Sequence, residues 1–422
     1  MHRLALVTSL GIILLAARPA AGDTMLYATA ATVGRVDGFC VNRGGALTPG
    51  ASVHADTGVD PSSPGVHDSS SNPRRLLVGN GVLYVGEHDR VEAFSIGPHG
   101  GLKFLNRTAL ISSPAMDVMD MALSPDGKTL YVAQNGPDRI AGYSLDATGV
   151  PARDFSSCIQ GRVNVSYRAL RVSNSLLYVS EQLTPGRIAV FPIDAGGGLG
   201  PCSAQRSTVC QGGSRAGQMC STEDANATTG CPGATCPGCC VAATRPISER
   251  RRIQRPRPFV IMGDRLYVDE VGTARIKGFG LQADGLFSPP TMVGKRLRWE
   301  KPFSRTDPVL AYVDVVLFRS TLLASQFEKG RIDAYRLKPD GRLPHQPTRR
   351  SNQDVRTSPV RMTVSEDGVL YVAAGELDRV EAFRLRQSDG LLASATPFSQ
   401  TDEQTGSFPN DVALAMLSGD CR

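Results

Sequence analysis

Apolar positions along this chain come in short runs, each bounded by turns rich in Gly, Asp and Pro, which predicts many short β-strands. The runs repeat. A Leu-Tyr pair recurs at Leu26-Tyr27, Leu83-Tyr84, Leu130-Tyr131, Leu177-Tyr178, Leu266-Tyr267 and Leu370-Tyr371, and Leu322-Leu323 takes its place in one copy. A few residues later comes an arginine followed by Val or Ile: Arg35, Arg90, Arg139, Arg187, Arg275, Arg331 and Arg379. Four positions beyond each arginine stands an aromatic: Phe39, Phe94, Tyr143, Phe191, Phe279, Tyr335 and Phe383.

Each unit of about 47 residues reads as four strands with turns between them. Met121-Ala122-Leu123 lies on a first strand, Ser124-Pro125-Asp126-Gly127 turns the chain, and Leu130-Tyr131-Val132 is the second strand. Arg139 to Tyr143 begins the third, and a further Gly turn leads to a fourth. The third strand is apolar on both faces and carries a small residue before its aromatic (Gly38, Ala93, Gly142, Gly278, Ala334, Ala382, with Val190 the exception). A sheet covered on both sides is expected to place a ring of one sheet against a hollow of the next.

The two ends of the chain share one unit. Residues 25–28 form a second strand with no first strand before it, and Phe408 to Leu414 supplies the missing piece. The predicted fold is therefore all-β: a seven-bladed β-propeller closed by pairing of its N- and C-terminal strands. A disulfide between Cys40 and Cys421 is expected to pin that seam.

Composition adds a compartment. Residues 1–22 have a short basic start, an apolar run and Ala20-Ala21-Gly22, as in a signal peptide cleaved before Asp23. No second apolar stretch of spanning length follows, so no membrane attachment is expected after cleavage, and the chain reads as a secreted or periplasmic monomer. Ten cysteines suit an oxidising space. The net charge of +6 is spread along the chain rather than gathered on one face, which argues against nucleic acid as a partner. Seven of the cysteines fall within 202–240, a cysteine-rich insertion that divides the propeller into 23–201 and 241–422. Disulfides, with Cys158 taking the odd cysteine, are the favoured reading there, and zinc at Cys236, Cys239 and Cys240 is the alternative.

The unit Leu-Tyr-Val followed by Arg-Ile/Val-x-x-Phe/Tyr resembles the repeats of lactonase-like seven-bladed propellers. Among these are propeller-type phosphogluconolactonases, muconate-lactonizing relatives and surface proteins with Tyr-Val-Thr-Asn repeats. The resemblance implies a histidine at the start of an inner strand and a glutamate at the end of a second strand. Glu87, Glu181 and Glu270 match the glutamate. Where the histidine is expected, the seven units read Arg75, Asp120, Ala169, Pro258, Asp314, Arg361 and Asp411.

Both series are expected at one mouth of the central channel, as a polar funnel. The candidate catalytic residues are Glu181, Arg75, Glu87, Glu270 and Arg361. An arginine can hold a substrate carbonyl or carboxylate while Glu181 activates water, which suits a lactone. Asp120, Asp314 and Asp411 are candidate ligands for a hard cation such as Ca²⁺. His88, in Glu87-His88-Asp89-Arg90, lies near the same mouth and reads as a surface residue. The seven third-strand arginines read as structural. The functional expectation is a binding or interaction module for a small-molecule, protein or glycan ligand; a lactonase-type hydrolase is the alternative.

Overall fold

The computed structural model describes residues 23–58, 72–109, 117–134, 139–152, 157–160, 166–182, 186–199, 248–253, 256–270, 275–287, 312–344, 346–351, 358–402 and 408–421. It also describes two paired strands, Thr208–Val209 and Met219–Cys220. The rest of the cysteine-rich insertion, the proposed leader and the side chain of Cys158 lie outside the described residues.

The architecture is a seven-bladed β-propeller. Inner strands Val412–Met416, Arg75–Gly79, Val118–Leu123, Ser166–Ser173, Pro256–Met262, Tyr312–Phe318 and Pro359–Val364 head blades 1 to 7 in that order. Each inner strand touches the next, and the seventh touches the first, so the ring is closed. Six blades are four-stranded antiparallel sheets; blade 5 has three strands among the described residues. Blade 1 draws on both ends of the chain: Val412–Met416 pairs with Thr24–Ala30, which pairs with Arg35–Val41. Cys40 and Cys421 form the expected disulfide across this seam, with Cα atoms 5.6 Å apart.

The apolar core is divided among the interfaces. Seven clusters of buried side chains are found, and each joins one blade to its neighbour. The repeated second-strand tyrosine organises them. Tyr27, Tyr84, Tyr131, Tyr178, Tyr267 and Tyr371 are almost fully buried, and each hydroxyl donates to a glycine carbonyl in the next blade. The acceptors are Gly100, Gly149, Gly197, Gly285, Gly341 and Gly45, in the turn that leaves the third strand. These glycines have φ between 76° and 81°, a conformation that disfavours a side chain. Burial raises the hydroxyl pKa values, to about 12 at Tyr84 and Tyr178. Blade 6 has Leu323 at this position, and there the Thr321 hydroxyl donates to the Asp389 carbonyl at 2.6 Å instead.

The small residue on the third strand accommodates the tyrosine of its own blade. Tyr27 pairs with Gly38, Tyr84 with Ala93 and Tyr371 with Ala382 across the ladder. A Cβ added at Gly38 would stand 3.1 Å from the Tyr27 ring. The hollow thus lies within the blade, not on the neighbouring one as the pattern alone suggested.

Candidate functional site

In an antiparallel blade the start of the inner strand and the end of the second strand share one face, so both residue series meet at one mouth of the channel. They behave differently there. Glu87, Glu181 and Glu270 are at most 1% exposed and each is tied to a cation of its own blade. Glu87 accepts from Arg90 at 2.6 Å, Glu181 from Arg187, and Glu270 pairs with Lys277 at 2.8 Å.

Five of the third-strand arginines, Arg35, Arg90, Arg187, Arg331 and Arg379, thus have a structural role, with acids as partners. In three of the four blades whose second strand ends without a glutamate, an acid two places after the arginine serves: Arg35–Asp37 at 2.8 Å, Arg331–Asp333 at 3.2 Å and Arg379–Glu381 at 2.6 Å; blade 3 has Ala141 there. Blade 2 has both acids. Arg90 lies between Glu87 and Glu92, and Glu92 also binds Arg107 and the Gly58 amide. Burial first, and then the charge of Glu92, push Glu87 up to about 7 against the pull of Arg90.

The inner-strand series lines the channel. Five of its seven positions sit on or beside register shifts, between Val118 and Asp120, Tyr167 and Ala169, Pro256 and Phe259, Tyr312 and Asp314, and Pro359 and Met362. A bulge bends the strand and re-aims its side chain, leaving nearby backbone groups out of the ladder. Asp120 and Asp314 sit at such shifts, and Asp411, beside a strand paired in unbroken register, bonds in the same way. Asp411 accepts from the Leu76 amide at 3.0 Å, Asp120 from Leu170 at 2.9 Å and Asp314 from Met362 at 2.8 Å. In every case the acceptor belongs to one blade and the amide to the next.

Read around the ring, blades 6, 7, 1, 2 and 3 present Asp314, Arg361, Asp411, Arg75 and Asp120 in alternating charge. Blades 4 and 5 present Ala169 and Pro258. The two arginines differ. Arg361 pairs with Asp314 at 3.2 Å, and although burial opposes its charge, Asp314, Asp120 and Asp411 hold its pKa above the ordinary value. Arg75 donates to two carbonyls, of Met119 at 2.5 Å and Arg74 at 2.7 Å, and among the described residues it has no ion pair. Burial, then the like charge of Arg361, pushes it down to about 10, against the three aspartates.

Further cations gather on the blade 2 to 5 side. Arg168 reaches the Met119 sulfur at 3.6 Å, so it and Arg75 converge on one residue. Burial and the charge of Arg257 lower the Arg168 pKa, and Asp117 opposes them. Asp117 is itself held by Arg74 at 2.9 Å and by the His88 Nδ1 at 2.8 Å. Sequence reasoning passed over this His88–Asp117–Arg74 group, because its members come from two blades.

Asp120, Asp314 and Asp411 are the candidate cation ligands. Each has an oxygen committed to an amide at a different interface, and among the described residues no cluster of three or more acidic, His or Cys side chains is disposed to hold a metal ion.

The fold and the channel define a seven-bladed β-propeller. No protein-family model matches the chain, and no curated protein matches its sequence. Among solved structures it is similar to a Bacteroides fragilis protein provisionally assigned as a 6-phosphogluconolactonase (TM-score 0.61, 15% identity, covering 94% of this chain and 100% of that one). It is also similar to the periplasmic gluconolactonase of Pseudomonas aeruginosa (0.58, 14%, 94% and 99%) and to a protein from Lactobacillus plantarum (0.60, 13%, 93% and 99%). At these identities the likeness is one of fold.

Proposed function

We propose that this chain is an exported binding module whose channel mouth takes a small anionic ligand, such as a sugar acid, over Arg75. The observation that carries the reading is the state of Arg75: a guanidinium largely removed from water, bonded to carbonyls, and pressed by the charge of Arg361. A carboxylate or phosphate would give this guanidinium the direct ion-pair partner it lacks among the described residues, through a charge-assisted pair. Arg168 and Arg257 lie on the same side of the mouth, while the nearby glutamates are internally neutralised. The disulfide and the leader-like residues 1–22 support export, secreted or periplasmic. Titration calorimetry of the chain from Asp23 with gluconate and 6-phosphogluconate tests the reading. Binding is expected in wild type, reduced at least tenfold in Arg75→Ala. Retention of full affinity in that variant would remove Arg75 from the site.

A second reading, hydrolysis of a lactone, is favoured by His88. Its Nδ1 is held by Asp117, and the imidazole is partly exposed, so Nε2 is oriented to accept a proton from water. Of the two candidate bases, His88 is the better placed, since the Glu181 carboxylate is spent on Arg187. Two fold neighbours, a gluconolactonase and a 6-phosphogluconolactonase by assignment, suggest lactones as the first panel. Hydrolysis lost in His88→Gln but kept in His54→Gln would establish it. His54 makes a similar contact to Asp37 on the outer strand of blade 1 and serves as the control.

A further inference from the structure

The face opposite the channel mouth carries a groove of about 810 Å³ between blades 5 and 6. It is formed by the turn after the blade 5 inner strand, its counterpart in blade 6, and the turn leaving the blade 6 third strand. Arg319, Arg336 and Lys338 project into it, all three exposed.

Their charges are poorly met. Among the described residues Lys338 and Arg319 have no ion pair, and Arg319 donates only to the neutral Gln387 at 3.0 Å. Arg336 approaches Asp389 at 3.8 Å, but that carboxylate is already held by Arg386 at 2.6 Å. The acids of the groove are likewise engaged, Asp264 by Arg265 at 2.9 Å and Asp340 by Arg342 at 2.7 Å. Backbone strain accompanies the cluster, since Arg319 has φ 55° at the tip of its turn.

The rest of the lining is mixed in a particular way. Met262, Leu337 and Pro339 give apolar surface, while Ser320, Asp264 and Asp340 offer hydroxyl, carboxylate and carbonyl oxygens. A pyranose ring needs this combination: apolar surface against its C–H face and acceptors for its hydroxyls. The three cations add a demand for negative charge. We infer that this groove is a binding site for an acidic saccharide, a sugar that bears a carboxylate or phosphate. It is independent of the channel mouth, which lies at the other end of the blades.

The test is calorimetric titration of the full mature chain with trigalacturonate, glucose 6-phosphate, neutral maltotriose and inorganic phosphate. Binding of either acidic sugar is expected, and the tighter of the two names the acidic group. The combined Arg336→Ala and Lys338→Ala changes should weaken it at least tenfold, while Lys103→Ala, on the outer strand of blade 2, leaves it unchanged. Raising salt from 50 to 500 mM should also weaken it. An unchanged thermal midpoint certifies the double variant, and Lys338→Gln alone, at an exposed position, is the fallback with a smaller loss in the same direction. The inference is overturned if neither acidic sugar binds wild type, if the double variant binds as wild type does, or if maltotriose or inorganic phosphate binds as tightly as the acidic sugars.

Discussion

The Tyr371 hydroxyl donates to the Gly45 carbonyl at 3.0 Å, joining blade 7 to blade 1 across 326 residues of chain. Five other interfaces have the same bond, so the tyrosine of the repeat acts as a tie between blades as well as a filler within one. Removing a single hydroxyl strands a buried carbonyl. Tyr84→Phe and Tyr131→Phe are each expected to cost about 1–3 kcal/mol in urea-induced unfolding. Leu323→Phe, at the one interface that lacks this bond, should show no such hydroxyl-dependent loss.

The Cys40–Cys421 bond closes nearly the whole chain into one loop, a separation of 381 residues. Constraint of the unfolded chain then contributes on the order of 5 kcal/mol by chain-entropy reasoning. Cys421→Ser should lower the thermal midpoint, and dithiothreitol should then shift it no further through this bond. An equal midpoint for Cys421→Ser and wild type in non-reducing buffer would contradict the seam.

Glu87 makes stability depend on pH. Its carboxyl keeps a proton to about 7 in the folded chain, against an ordinary value of 4.5, chiefly because it is buried and stands beside Glu92. The stability it contributes is complete below the unfolded value and is lost as pH rises through the folded one. Unfolding free energy should therefore fall between pH 5 and pH 8. Glu87→Gln should flatten that slope by on the order of 2–3 kcal/mol, read from urea melts at the two pH values.

Asp314 joins blade 6 to blade 7 through the Met362 amide and Arg361. Asp314→Ala leaves a buried guanidinium and an amide without their acceptor, and a loss of about 3–5 kcal/mol is expected. Asp314→Asn can keep the amide bond and should lose less. Because the three channel aspartates are committed to backbone, EDTA should leave the thermal midpoint of wild type where it was.

The seven units, their closure and the Cys40–Cys421 seam were legible because fixed spacing reports a repeated local structure. Side-chain direction was harder. Glu87, Glu181 and Glu270 end strands that point toward the mouth, yet their carboxylates turn back to Arg90, Arg187 and Lys277. A signal for this was present in the sequence. Three units whose second strand ends without Glu carry Asp37, Asp333 or Glu381 two places after the arginine, as compensation for one charge predicts. The bonds of Asp120 and Asp314 form at bulges, which shift register by one residue and leave little trace in composition. The His88–Asp117 contact spans two blades, and only closure of the ring brings its partners together.

Seven similar blades around an axis would offer a ligand on that axis seven nearly equivalent poses, and the resulting degeneracy would blur any recognition. The arc from Asp314 to Asp120 lifts it. Charge alternates over five blades and stops at Ala169 and Pro258, so the pore has a compass bearing: a molecule with one charged end and one apolar end meets a single favoured azimuth.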